Sequence, residues 1–255
     1  MPHSLQIQEN DKSKGVVVSM VSQASTGLQA VRPKKSCLDV FHAFMTAGCE
    51  FDSLYEVPLI KPVDAIPGHL ISFSEAVRLG EPVDEGTWVH FYEHDQRIER
   101  FWNNPRRYHP ILKRFSGVIA PDYSLYRDMP EPQKRWNSYR NYLCAAWLQN
   151  LEMLVIPNIR LWGLSSIGYA LAGAPKNGGI AVGMHGNIRD RYHRARITEE
   201  VDAVVECLRP KAIVVYGSGA SRYAKSIFDY PVSLDIPVIW FSPRIAVAHG
   251  CDDNG

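Results

Sequence analysis

The sequence contains no apolar run approaching the roughly 20 residues that cross a bilayer, which excludes a helical membrane span. Its first fourteen residues, Met1 to Lys14, are polar and charged, with none of the apolar centre of a secretory signal, so export is not expected. Cysteine is scarce: the five are Cys37, Cys49, Cys144, Cys207 and Cys251. Odd in number, widely spaced and without a Cys-x-x-Cys pair, they exclude a zinc ribbon and a secreted disulfide framework and fit reduced thiols in a cytoplasm. An excess of one charge is missing too, the formal net charge being +1. A polycation that seeks DNA with its whole surface is thereby excluded, while a local basic face stays open. There is no Walker loop, no Gly-x-Gly-x-x-Gly, no helical His-Glu-x-x-His, no internal repeat and no low-complexity tract.

What is present is an ordinary globular composition, 45% hydrophobic and 22% charged over 255 residues. A chain of this length buries roughly three quarters of its unfolded surface and needs no staple. Residues 1–30 read as a flexible arm with one short apolar patch, Val16-Val17-Val18. Residues 31–86 read as an irregular lead-in broken by Pro58, Pro62, Pro67 and Pro82, with short helices near 38–46 and 74–79. Ser72 and Ser74 are the candidate caps of the second, and Glu75 stands too close to Ser74 for a capping box with it.

Residues 87–245 alternate regularly, and 246–255 form a tail. Apolar, β-rich runs lie at 88–92, 117–120, 153–157, 180–183, 212–216 and 238–241. Helical compositions at 97–115, 132–150, 165–172, 198–208 and 222–228 separate them, the first expected to kink at Pro110. Several runs are continuously apolar, as in strands covered by helices on both faces. The pattern predicts a single α/β domain, a mainly parallel sheet of about six strands with flanking helices, open or incompletely closed and barrel-like.

Ligands of parallel α/β folds bind beyond the carboxyl ends of strands, where loops free side chains and helix starts offer N–H donors. The residues that follow each predicted strand are therefore the candidates for chemistry. After the first come Glu93-His94-Asp95, with His90 and Tyr92 on the face of His94. Two histidines suggest a metal, but no third ligand is identifiable, no metal is assigned, and Asp95 serves equally as a helix cap. After the second stands Asp122, a candidate general base, supported by Tyr123 and Ser124; such residues also recur as plain loop acceptors. After the third, Asn158 and Arg160 suit an anion and Trp162 a pocket wall, unless Arg160 pairs Asp122 as scaffold.

After the fourth, His185 beside Gly186 is the histidine best placed for acid–base work. After the fifth, Tyr216-Gly217-Ser218 opens a small-residue turn able to cradle an anion or simply to turn. Two basic stretches interleave with aromatics, one containing Arg106 and Arg107 and the other Arg191 and Arg194. They suit phosphate contact with base stacking, or a solvated helix face.

Several of these segments, in order, resemble a known family. They are Val89-His90-Phe91-Tyr92, Phe101-Trp102-Asn103-Asn104-Pro105, residues 115–130 (FSGVIAPDYSLYRDMP), Asn137-Ser138-Tyr139-Arg140, residues 155–162 (VIPNIRLW), His185-Gly186 and Val215-Tyr216-Gly217-Ser218. Together they are similar to an uncharacterised bacterial and phage family, the domain of unknown function numbered forty-four seventeen, over roughly residues 50 to 242. The resemblance implies a phage or mobile-element context, and the label of rolling-circle replication protein on some relatives implies a part in DNA replication. None of the nine histidines stands one residue from another, so the His-hydrophobic-His motif of common rolling-circle initiators is absent.

Three readings follow. A pocketed enzyme would use Asp122 or His185 as base and would hold a nucleotide or other phosphorylated small molecule through Arg160 and the turn at Gly217. A non-catalytic protein would bind DNA through the basic stretches. A binder without turnover would sequester a nucleotide in the same pocket. The sequence leaves any cofactor unknown, and no membrane partner is expected.

Overall fold

The computed structural model describes residues 24–25, 39–79, 84–184, 191–218 and 222–243, the first pair and 191–193 by backbone alone. A two-residue strand β1 (Ala24–Ser25) pairs antiparallel with β2 (Phe51–Asp52). Seven parallel strands follow: β3 (His69–Ser72), β4 (Thr87–His90), β5 (Gly117–Ile119), β6 (Val155–Ile156), β7 (Gly179–Gly183), β8 (Ala212–Tyr216) and β9 (Val238–Phe241). The first four form one sheet in chain order and the last three another. A parallel bridge between Asn158 and Ala181 joins them. It is held by Ile159 N–H donating to Ala181 O and Ala181 N–H donating to Pro157 O, each 2.8 Å.

Seven strands in chain order curl into a wall rather than a plane. Tyr216 on β8 lies 4.1 Å from His90 on β4, ring to ring. Four strand spacings in a flat sheet would separate them by roughly 19 Å. Trp88, Ile119, Ile156, Ala181 and Val214 are buried together, with Leu70 and Phe241 packed against them, so each strand sends one side chain inward. The strands alternate inward and outward as the pleat requires. A Cβ on Gly117 would lie 2.6 Å from the Trp88 ring, which is why a glycine stands opposite that indole. Among the described residues no strand joins β9 to β3, and the barrel remains unclosed.

Outward residues meet helices. Val89, Phe91, Val118 and Val155 pack on Phe101, Leu112, Leu143 and Leu148 from α2 (Asp95–Asn103), α3 (Pro105–Leu112) and α4 (Glu131–Asn150). Ile213 and Val215 pack on Val201, Val205 and Leu208 of α6 (Arg191–Leu208) and on Phe228. Each such side chain contributes about 1.5–3 kcal/mol by leaving water. Short helices α1 (Phe73–Arg78), α5 (Ile167–Ala170), α7 (Arg222–Ser226) and α8 (Asp229–Ser233) complete the layer.

The sheet has one strand more than the six expected. The addition is β3, whose apolar side chains are only Leu70 and Ile71 and which follows directly on Pro67 and Gly68, so it does not stand out as an apolar run. A capping box does start α1, with Ser72 rather than Ser74: Ser72 Oγ accepts from Glu75 N–H at 3.2 Å and the Glu75 carboxylate accepts from Ser72 N–H at 3.1 Å. The long first helix breaks at Asn104, before Pro105, and not at Pro110, which lies within α3. Asn104, at φ −143° and ψ 59°, leaves the helical region, which a following proline disfavours for the residue before it. Of the helix expected at 38–46, residues 39–46 are described, and of these only Ala43–Thr46 is helical, as a 3-10 turn.

Candidate functional site

At the carboxyl ends of β4, β5 and β6 a directed chain of hydrogen bonds crosses the mouth of the wall. The Tyr92 hydroxyl donates to Asn158 Oδ1 at 3.0 Å, and Asn158 Nδ2 donates to Asp122 Oδ1 at 2.8 Å. Arg160 Nη1 donates to Asp122 Oδ2 at 3.1 Å. Asp122 and Asn158 are 7% and 4% exposed. The Tyr92 hydroxyl is pushed well above its ordinary range by burial first and by the Asp122 carboxylate next, so it remains a donor.

Beneath lies an aromatic floor. Tyr92 and Tyr216 stack with ring centres 5.0 Å apart and planes 10° from parallel. His90 lies against both, and its Nδ1 accepts the Tyr92 N–H at 3.1 Å, which leaves the ring proton on Nε2. Burial holds His90 down to about 3, so it is neutral at ordinary pH. The Tyr216 hydroxyl is raised above its ordinary range by burial and then by the carboxylates of Glu75 and Glu93.

The structure therefore brings together Asp122, Asn158, Arg160 and Tyr216 of the sequence-derived set, and the Arg160–Asp122 pair is present. Tyr123 is turned the other way, because successive side chains of the extended segment after β5 alternate. Its N–H donates to Asn141 Oδ1 at 2.9 Å and the Arg140 guanidinium lies 3.9 Å above its ring. Ser124 is taken up by Asp95, whose Oδ1 accepts from its N–H at 3.3 Å and its hydroxyl at 3.1 Å. Asp95 thus ties down the β5 loop instead of capping α2, in which it is the first residue. Trp162 is half-buried under the Arg196 guanidinium, 4.3 Å away. Gly217 is buried at a close approach, where a Cβ would lie 2.9 Å from Met184 Cβ, and Ser218 is exposed.

His185 and Gly186 lie outside the described residues, as does the side chain of Arg191, whose backbone starts α6. Arg194 reaches over the Tyr223 ring at 5.2 Å. Arg106 and Arg107 are exposed on α3, their guanidinium groups over Phe44 at 4.0 Å and Tyr108 at 5.8 Å. His94 is exposed while His90 is buried, and among the described residues no three His, Cys, Asp or Glu side chains could hold a metal.

Two features escaped sequence reasoning. Glu200 on α6 is 6% exposed and accepts from Gly163 N–H and from Arg196. Burial raises its carboxyl, against the pull of Arg196 and Arg160. Its only sequence signal is the i,i+4 spacing from Arg196. The second is a cleft of about 500 Å³ at the heads of α1 and α2, lined by Ser72, Ser74, Arg78, Glu93, Arg97 and Arg100. Asp122, Asn158 and Arg160 do not line it; Glu93, next to Tyr92 in the chain, does.

A family model described as Domain of unknown function (DUF4417) matches residues 49–234. The Gene 1 protein of Mycobacterium phage D29 is 25% identical over 229 residues, covering 90% of this chain and 82% of that protein. The Gene 1 protein of Mycobacterium phage L5 is 25% identical over 202 residues, covering 79% of this chain and 86% of that protein. No solved structure matches.

Proposed function

The chain belongs to the DUF4417 family and has phage proteins for relatives, and on that premise we propose that it binds a nucleotide or similar phosphorylated ligand at the mouth of its wall. The observation that carries this reading is the Tyr92–Asn158–Asp122–Arg160 chain. A buried ionic and amide network is poor value as mere scaffold, because apolar side chains of similar volume stabilise a core as well or better. Its position beyond the carboxyl ends of three adjacent strands is the position at which parallel α/β folds recognise ligands.

In this reading Arg160 gives one N–H to Asp122 and offers the rest of its fork to an anionic group. Asp122, oriented by Asn158 and Arg160, accepts a hydroxyl of the ligand and can take its proton if the ligand is processed. His185, two positions past Gly183 in the chain, is the second candidate for proton transfer on sequence grounds.

The test is a thermal-shift series with mononucleotides, sugar phosphates and short DNA at two salt concentrations. A ligand at a hundred times its dissociation constant adds roughly 2.7 kcal/mol. The expected result is a shift with a nucleotide that Arg160→Gln abolishes while its circular dichroism stays native. A shift with DNA alone, lost as salt rises, would replace this reading with nucleic-acid binding through the arginine stretches.

A further inference from the structure

Among the described residues, the lining of the cleft at the heads of α1 and α2 holds three guanidinium groups and one carboxylate. Arg100 is the least compensated. Its Nη2 donates to Ser74 Oγ at 2.8 Å and its guanidinium lies 4.8 Å over the Phe73 ring. Its Nε is buried with no acceptor, and no described carboxylate comes within ion-pair range. Arg97 stands 3.7 Å from Glu93 with its side chain 64% exposed, and the other oxygen of Glu93 is occupied by Ser74 N–H at 2.8 Å. Arg78 is exposed and forms no ion pair among the described residues.

Gathering like charges costs energy, and a cation half-removed from water without a counter-ion costs more. An arriving anion reverses both terms. Guanidinium forks match the paired oxygens of phosphates, and three of them around a space of about 500 Å³ suit a chain of phosphoryl groups better than one flat carboxylate. We propose that this cleft is a receptor for an oligophosphate, separate from the Asp122 chain and independent of the ligand assigned to it. Inorganic oligophosphate and the phosphate tail of a nucleotide share that chemistry.

Titration calorimetry with pyrophosphate tests it, with malonate as a dicarboxylate control at matched ionic strength. Arg78→Gln and Arg97→Gln remove exposed side chains and leave the core intact. Each is expected to weaken pyrophosphate binding about tenfold, the worth of one charged hydrogen bond. Asp122→Asn is expected to change it less than about twofold, since Asp122 does not line the cleft. Tighter binding of a nucleoside diphosphate than of pyrophosphate would name the nucleotide as source, and equal binding would name the free oligophosphate; both keep the receptor. Wild-type affinity in both arginine variants, malonate binding as tightly as pyrophosphate, or no pyrophosphate binding would overturn it. None of these outcomes depends on whether Arg160→Gln loses a ligand at the mouth.

Discussion

Tyr92, just past β4, lies face to face with Tyr216 on β8, although the two strands stand four apart in the sheet. That stack spans the interior of the curled wall and leaves no room for a side chain on the neighbouring β7. A Cβ on Gly183 would sit 2.7 Å from the Tyr92 ring.

Gly183→Ala is therefore expected to destabilise the protein by about 1–3 kcal/mol through overpacking. Urea unfolding measures it. A second change, Tyr92→Leu, should recover part of the loss, and a Gly183→Ala protein of unchanged midpoint would contradict the stack.

The Asp122–Arg160 pair should behave as a unit. Arg160→Met strands a buried carboxylate and is expected to cost roughly 3 kcal/mol, while Asp122→Asn with Arg160→Met should cost less than the sum of the singles. A double-mutant cycle with no coupling would show that the two side chains do not share their bond in solution.

His90 sets a pH dependence whose sign follows from burial. Its native value of about 3 lies below the ordinary 6.5, so on acidification the unfolded chain takes up a proton that the native protein refuses. Its contribution is complete above pH 6.5 and is lost as pH falls towards 3, by up to about 1.4 kcal/mol per pH unit. Burial also lowers His42 and His109, so the reading is the difference between proteins. His90→Gln should flatten the wild-type slope between pH 6.5 and 4.5. Equal slopes would mean that the imidazole is hydrated.

Asp95 holds the loop after β5 by accepting from Ser124 twice and from the Tyr126 hydroxyl at 3.2 Å. Asp95→Ala should cost about 1–2 kcal/mol and raise hydrogen exchange at the Ser124 amide. Unchanged protection of that amide would show that the loop is held by other means.

The parts of this architecture that were readable from residues are those written in continuous apolar runs. Six of the seven parallel strands announce themselves in that way, and reading their ends leads to Asp122, Asn158 and Arg160. Reading failed where geometry depends on register or on distant partners. Asp122 and Tyr123 are neighbours in sequence, yet the extended chain points them to opposite sides of the wall. The arginine cleft draws Arg78 from one helix and Arg97 and Arg100 from another, and only the pairing of β3 with β4 brings the helix heads side by side.

A closed cylinder fixes its own girth, because the last row of backbone hydrogen bonds locks the first strand to the final one. Among the described residues β3 and β9 lack that row, so the bore is gauged from within, by Trp88 at one level and by the Tyr92–Tyr216 pair at the next. These rings are spacers as much as filling. Trimming one of them should let the seam draw in, where in a sealed barrel the same loss would leave a void.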